Sequence, residues 1–147
     1  MGKKKTMSRF PANILLDTGY WIALCDAREG FHGEAADKFE RFEGLGVILP
    51  WPCMYETCKT RFVRNGRAMR LFAQIVRGSR IQKVDDHRYR ENAYDLTMET
   101  FAKRPTSLVD MVIRLMLDNV VLRVDGLLTT NPGDFNDVCR KRKIDMP

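Results

Sequence analysis

Histidine is almost missing from this chain: there are 2 in 147 residues, His32 and His87. Neither lies in an HExxH pair or in a Cys/His zinc spacing, so zinc-hydrolase and zinc-finger chemistry find no motif here. His87 reads as a surface residue at a helix start. The 4 cysteines, Cys25, Cys53, Cys58 and Cys139, form no CxxC pair and no disulfide framework. They are expected to be reduced packing residues of a cytoplasmic protein. No apolar stretch approaches the ~20 residues of a membrane span, and no apolar region follows the basic start, so neither membrane insertion nor export is expected. There is no GxSxG elbow and no Walker loop. Asp17-Thr18-Gly19-Tyr20 lacks the second aspartate of an aspartyl-phosphate hydrolase.

What the chain does have is a core and an uneven charge. Apolar residues make up 44% of it, enough for one folded domain over residues 12–147. The net charge of +6 divides into blocks. Residues 1–10 carry +4 and read as a flexible basic arm that ends at Pro11. Residues 11–58 carry −5, residues 59–83 carry +8 without one acid, residues 84–139 carry −4 and residues 140–147 carry +3. An acidic body with a basic block suits a polyanionic partner, although such blocks are also common as solvated surface. Lys59, Arg61, Arg64, Arg67 and Arg70 are the candidate RNA-binding residues of that block.

The organising stretch is Ile14-Leu15-Leu16-Asp17-Thr18-Gly19. A short apolar run that stops at Asp-Thr-Gly reads as a buried parallel strand with a carboxylate at its C-terminal end. A helix near 18–26 and another near 32–42 follow, then a strand at Val47-Ile48-Leu49. Pro50-Trp51-Pro52 opens a helix over about 53–64, which places Glu56 in its first turn. Asn65-Gly66 separates that helix from one over about 67–77. A strand at 81–84, a long helix over about 87–103, a helix over about 108–119 and a strand at Leu127-Leu128-Thr129-Thr130 complete the order before a last short helix. Strands alternating with helices predict an α/β fold, a parallel sheet of about four to five strands flanked by helices on both faces.

Four acids stand out: Asp17, Glu56, Asp110 and Asp134. Each has a plain role as a helix-capping or first-turn acid. Asp17 can cap the helix that follows it, Ser107-Leu108-Val109-Asp110 is close to a capping box, and Asn131-Pro132-Gly133-Asp134 has an N-cap residue with proline next. The set reads differently. Strand ends and helix starts share one edge of a parallel sheet, where ligands bind. Four carboxylates gathered there would repel one another, and Mg²⁺ or Mn²⁺ with oxygen ligands would relieve the repulsion.

At Leu15-Leu16-Asp17-Thr18, Tyr55-Glu56, Ser107-Leu108-Val109-Asp110 and Thr129-Thr130-Asn131-Pro132-Gly133-Asp134-Phe135 the sequence resembles the PIN-domain nucleases, especially the VapC-like toxins of toxin–antitoxin pairs. The resemblance covers about residues 12–140. It implies a metal-dependent endoribonuclease with Asp17, Glu56, Asp110 and Asp134 as the metal-site and catalytic acids. Thr129 matches the hydroxyl residue that supports them, and Thr18 and Asn131 are expected to orient ligands alongside it. Position 131 is Asn where many relatives carry Asp, which lowers the charge of the site. RNA as substrate, a cognate antitoxin and a homodimer are the expected partners. The alternative is a non-catalytic nucleic-acid-binding or complex-forming domain on the same scaffold; a DNA-directed nuclease would share the acids.

Overall fold

The computed structural model describes residues 12–147; the basic arm expected over residues 1–11 lies outside the described residues. Four strands form a wholly parallel sheet in the order β3-β2-β1-β4. They are β1 (Asn13–Leu16), β2 (Gly46–Pro50), β3 (Ile81–Val84) and β4 (Gly126–Leu128). Leu15 lies opposite Ile48 on one side and Leu127 on the other. All three are essentially without exposed surface, which is why β1, β2 and β4 read as continuous apolar runs. β3 is an edge strand whose Gln82 and Lys83 face solvent, the kind of polar edge that discourages pairing with other chains.

The helices are α1 (Thr18–Cys25), α2 (His32–Arg41), α3 (Trp51–Thr57), α4 (Thr60–Val63), α5 (Gly66–Val76), α6 (His87–Thr100), α7 (Leu108–Asp118) and α8 (Asn136–Arg142), with a 3₁₀ turn at Pro132–Asp134. They fall into two groups: α1 packs on α2, α3 and α5, while α7 packs on α6 and α8. Trp21 lies at the centre of the first group, edge-on to Phe72 with ring centroids 5.3 Å apart, and Phe62 meets Phe72 in the same manner at 5.9 Å. Among the described residues no helix is long and apolar enough to cross a membrane.

The helix expected over 53–64 is two helices. Pro52 is accepted in the first turn, so α3 starts at Trp51 and ends at Thr57, and Lys59 is extended before α4 begins. Thr57 and Phe62 both face the core. Five residues apart on one helix they would point about 140° away from each other; the break restores Phe62 to the core. Glu56 accordingly occupies the last turn of α3, not the first. The strand expected to run through Thr130 leaves the sheet after Leu128, and the long helix expected to reach residue 103 stops at Thr100.

Candidate active site

The chain leaves β1 towards β2 and β3 and returns to the far side of β1 with β4. The gap between the carboxyl ends of β1 and β4 is therefore the point where the strand order reverses, the usual ligand crevice of an open parallel sheet. Asp17 follows β1 there, and Thr129 follows β4.

Asp17 is buried, with 5% of its surface exposed. Its Oδ1 accepts from the Tyr20 N–H at 3.0 Å, so it does cap α1. Its Oδ2 accepts from the Thr129 hydroxyl. Thr129 Oγ1 in turn accepts the Asn131 N–H at 2.9 Å, so Asn131 joins the cluster through its backbone while its side chain makes no cap. On the other side the Thr18 hydroxyl donates to Glu56 Oε1 at 2.6 Å. These donors are neutral: they orient the carboxylates without cancelling their charge. Burial raises the Asp17 carboxyl from 3.8 to about 6, the Thr129 hydroxyl and Tyr20 N–H oppose that rise, and the charges of Asp110 and Glu56 add to it.

Asp110 is in the first turn of α7, where its N–H donates to Ser107 Oγ at 3.0 Å. Burial holds its carboxyl above the ordinary value, with Asp134 and then Glu56 adding to the effect. Cys53, fully buried on α3, is a second probe of this field. Burial pushes its thiol up to about 12, and the charges of Asp17, Glu56 and Asp110 push the same way. Asp17, Glu56 and Asp110 thus act on one small region. Asp134 is exposed at the end of the 3₁₀ turn and is felt at Asp110. Among the described residues, no three His, Cys, Asp or Glu side chains converge closely enough to enclose one ion directly. Carboxylate and hydroxyl oxygens are nevertheless the donors hard divalent cations take, with water completing the shell.

Two contributors were not among the candidate site residues. Arg114, one turn beyond Asp110, donates from Nη1 to the Asp134 carbonyl at 2.7 Å and to Asp137 Oδ1 at 2.9 Å, while Nη2 donates to Asp137 Oδ2 at 2.6 Å. It ties the turn carrying Asp134 to α7; its spacing of four from Asp110 was the available signal. Gly19 is the other. A Cβ on it would lie 2.6 Å from Thr130 Oγ1, so glycine is what allows the end of β4 to close on α1. Lys59, Arg61, Arg64, Arg67 and Arg70 are all exposed, on or beside α4 and α5.

No protein-family model matches the chain, and no curated protein matches it. Among solved structures it is similar to Mycobacterium tuberculosis VapC20, a sarcin-ricin loop cleaving toxin, over 84% of this chain and 94% of that one, with 20% identity and a TM-score of 0.68. The fold is PIN-like. At 20% identity the likeness carries the fold alone. Within that PIN-like frame the crevice between β1 and β4 is where chemistry is to be sought.

Proposed function

We propose that this chain is a metal-dependent endoribonuclease, acting as the toxin of a toxin–antitoxin pair, with residues 12–147 as its single nuclease domain. The observation that carries the reading is the electrostatic convergence of Asp17, Glu56 and Asp110 on the β1–β4 switch point, with Asp134 acting on Asp110 from the following turn. Like charges gathered this way disfavour one another's ionised forms. A bound cation would relieve that repulsion.

Asp17, Asp110, Asp134 and Glu56 would hold Mg²⁺ or Mn²⁺, some of them through water. The ion, when bound, supplies a water of lowered pKa and offsets charge on the scissile phosphate. The protein's own part is orientation. Thr129 fixes Asp17 Oδ2 and favours its ionised form, Thr18 fixes Glu56, and Asn131 holds Thr129 through its N–H. Water attacks in line with no covalent enzyme intermediate, leaving a 5′-phosphate and a 3′-hydroxyl. VapC20 cleaves the sarcin-ricin loop, which makes structured RNA the first substrate to test. A cognate antitoxin would cover the acidic crevice and insert an Arg or Lys among the carboxylates in place of the ion. A homodimer is the proposed assembly.

The test is RNA hydrolysis with Mn²⁺ or Mg²⁺, followed by sequencing of the product ends. Asp17→Asn and Asp110→Asn should each abolish cleavage while the fold persists. Full activity in EDTA, or in both variants, refutes the mechanism. Among the described residues no three His, Cys, Asp or Glu side chains enclose an ion, and this favours one second reading, a non-catalytic nucleic-acid-binding domain. Titration calorimetry with Mn²⁺ separates the two, since that domain gives no heat that Asp17→Asn removes.

A further inference from the structure

Away from the acids, Arg28, Thr60, Arg61, Arg64, Asn65 and Gly66 line an open cavity of about 650 Å³. The lining holds three guanidinium groups and no carboxylate. A fourth stands at its wall: a Cβ on Gly66 would lie 3.4 Å from Arg70 Nη1, so the Arg70 side chain folds back over the start of α5. Arg61 and Arg64 are three apart at the end of α4, on one side of that turn.

Arg28 comes from a different part of the chain and is fixed in place. Its Nε and Nη2 donate to the two oxygens of Asp26 at 3.1 Å each, and its N–H donates to Asp26 Oδ1 at 3.0 Å. Asp26 is itself buried, as the C-cap of α1. A guanidinium carries five N–H donors, so three remain beyond those two side-chain bonds. Asp26 offsets the charge of Arg28 but also sets its direction, so that less side-chain freedom is lost when an anion binds. The excess positive charge comes from Arg61, Arg64 and Arg70.

We propose that this cavity is a phosphate-binding pocket that takes a backbone phosphate of the RNA strand, outside the cleavage site. The RNA assignment rests on the nuclease reading above. Asp17 caps one end of α1 and Asp26 the other. Eight residues at about 1.5 Å each separate the two ends by about 12 Å. A strand engaged at both ends of α1 therefore spans a few nucleotides, and the pocket acts as a remote grip on the substrate.

The experiment is fluorescence anisotropy of a labelled single-stranded RNA of about 12 nucleotides, titrated with the full chain in EDTA over a range of salt. Arg61→Gln with Arg64→Gln should lower the log–log salt slope by ~0.7, the value for one single-strand phosphate contact, and weaken binding at least tenfold. Arg28→Lys, read below its melting transition, should weaken binding and also lower the melting temperature, because charge without the planar fork replaces neither the grip on phosphate nor the bidentate hold on Asp26. Arg77→Gln with Lys83→Gln, exposed and outside the cavity, should leave the slope unchanged. An equal loss in the two pairs would mean diffuse attraction and would overturn the pocket, as would no loss in either. Calorimetry with pyrophosphate separates a free phosphate ligand from RNA: pyrophosphate bound by wild type and lost in Arg61→Gln/Arg64→Gln, with RNA binding unaltered, overturns the RNA assignment. Cleavage is scored separately with Mn²⁺. A chain that does not cleave but shows the slope change loses the nuclease reading and keeps the pocket; one that cleaves with an unchanged slope does the reverse.

Discussion

Replacing Asp17 by Asn should make the metal-free protein more stable at neutral pH. Asp17 is buried and its carboxyl is raised from 3.8 to about 6. Ionising it in the folded state at neutral pH therefore costs about 3 kcal/mol relative to the unfolded chain. Because the folded state holds its proton more tightly, the penalty disappears as pH falls through about 6 towards 3.8, so wild type should close the gap to the variant over that window. Asn keeps the oxygen that accepts the Tyr20 N–H. Its amide can donate to Thr129 Oγ1, which has a second lone pair beyond the one used by Asn131. Little is lost, and the net gain is about 2–3 kcal/mol, or about 6–9 °C for a domain of this size. Mn²⁺ at a hundredfold excess over Kd should raise wild type by about 2.7 kcal/mol and the variant by much less. Thermal melts of both proteins, with and without Mn²⁺, at neutral pH and near pH 4, read all of this. If Asp17 is only a helix cap, Asn caps as well as Asp, the variant melts with wild type and Mn²⁺ moves neither protein; that result refutes the reasoning.

Gly19→Ala should lower the melting temperature by a few degrees, at roughly 1–3 kcal/mol for an overpacked site, since its Cβ meets Thr130 Oγ1 at 2.6 Å. Combining it with Thr130→Ala should restore most of the loss, and failure to do so would place the strain elsewhere. Arg114→Ala should cost about 1–2 kcal/mol at neutral pH, since Arg114 holds the half-exposed Asp137 carboxyl well below its usual 3.8. That contribution is present above the usual carboxylate range and is lost as pH falls and Asp137 protonates, so melts of variant and wild type should converge in acid. Arg114→Lys should not restore it, because the bidentate fork is lost.

The sheet was legible because its signals are local. Ile14-Leu15-Leu16 and Val47-Ile48-Leu49 are buried on both faces and carry no polar alternation, and Ser107 does cap α7 at Asp110 N. The break at Lys59 was not legible. It arises from Thr57 and Phe62 each needing the core, a tertiary demand that overrides a continuous helical pattern. The same demand moved Glu56 to the end of its helix, yet it still reaches Thr18, because α3 packs on α1. Arg28 lay in an acidic stretch, and nothing in its neighbours signalled that it turns towards Arg61 and Arg64. Its placement depends on α1, α4 and α5 meeting, which no local window contains.

The first strand waits for the last. β1 and β4 are neighbours, and the Asp17 carboxylate finds its hydroxyl partner 112 residues later. A chain synthesised only as far as β3 carries Asp17 and Glu56 and every arginine of the proposed phosphate pocket, but neither Asp110 nor Thr129. Pairing over so long a separation forms late in folding. The site that gathers these acids is therefore among the last features of the fold to assemble.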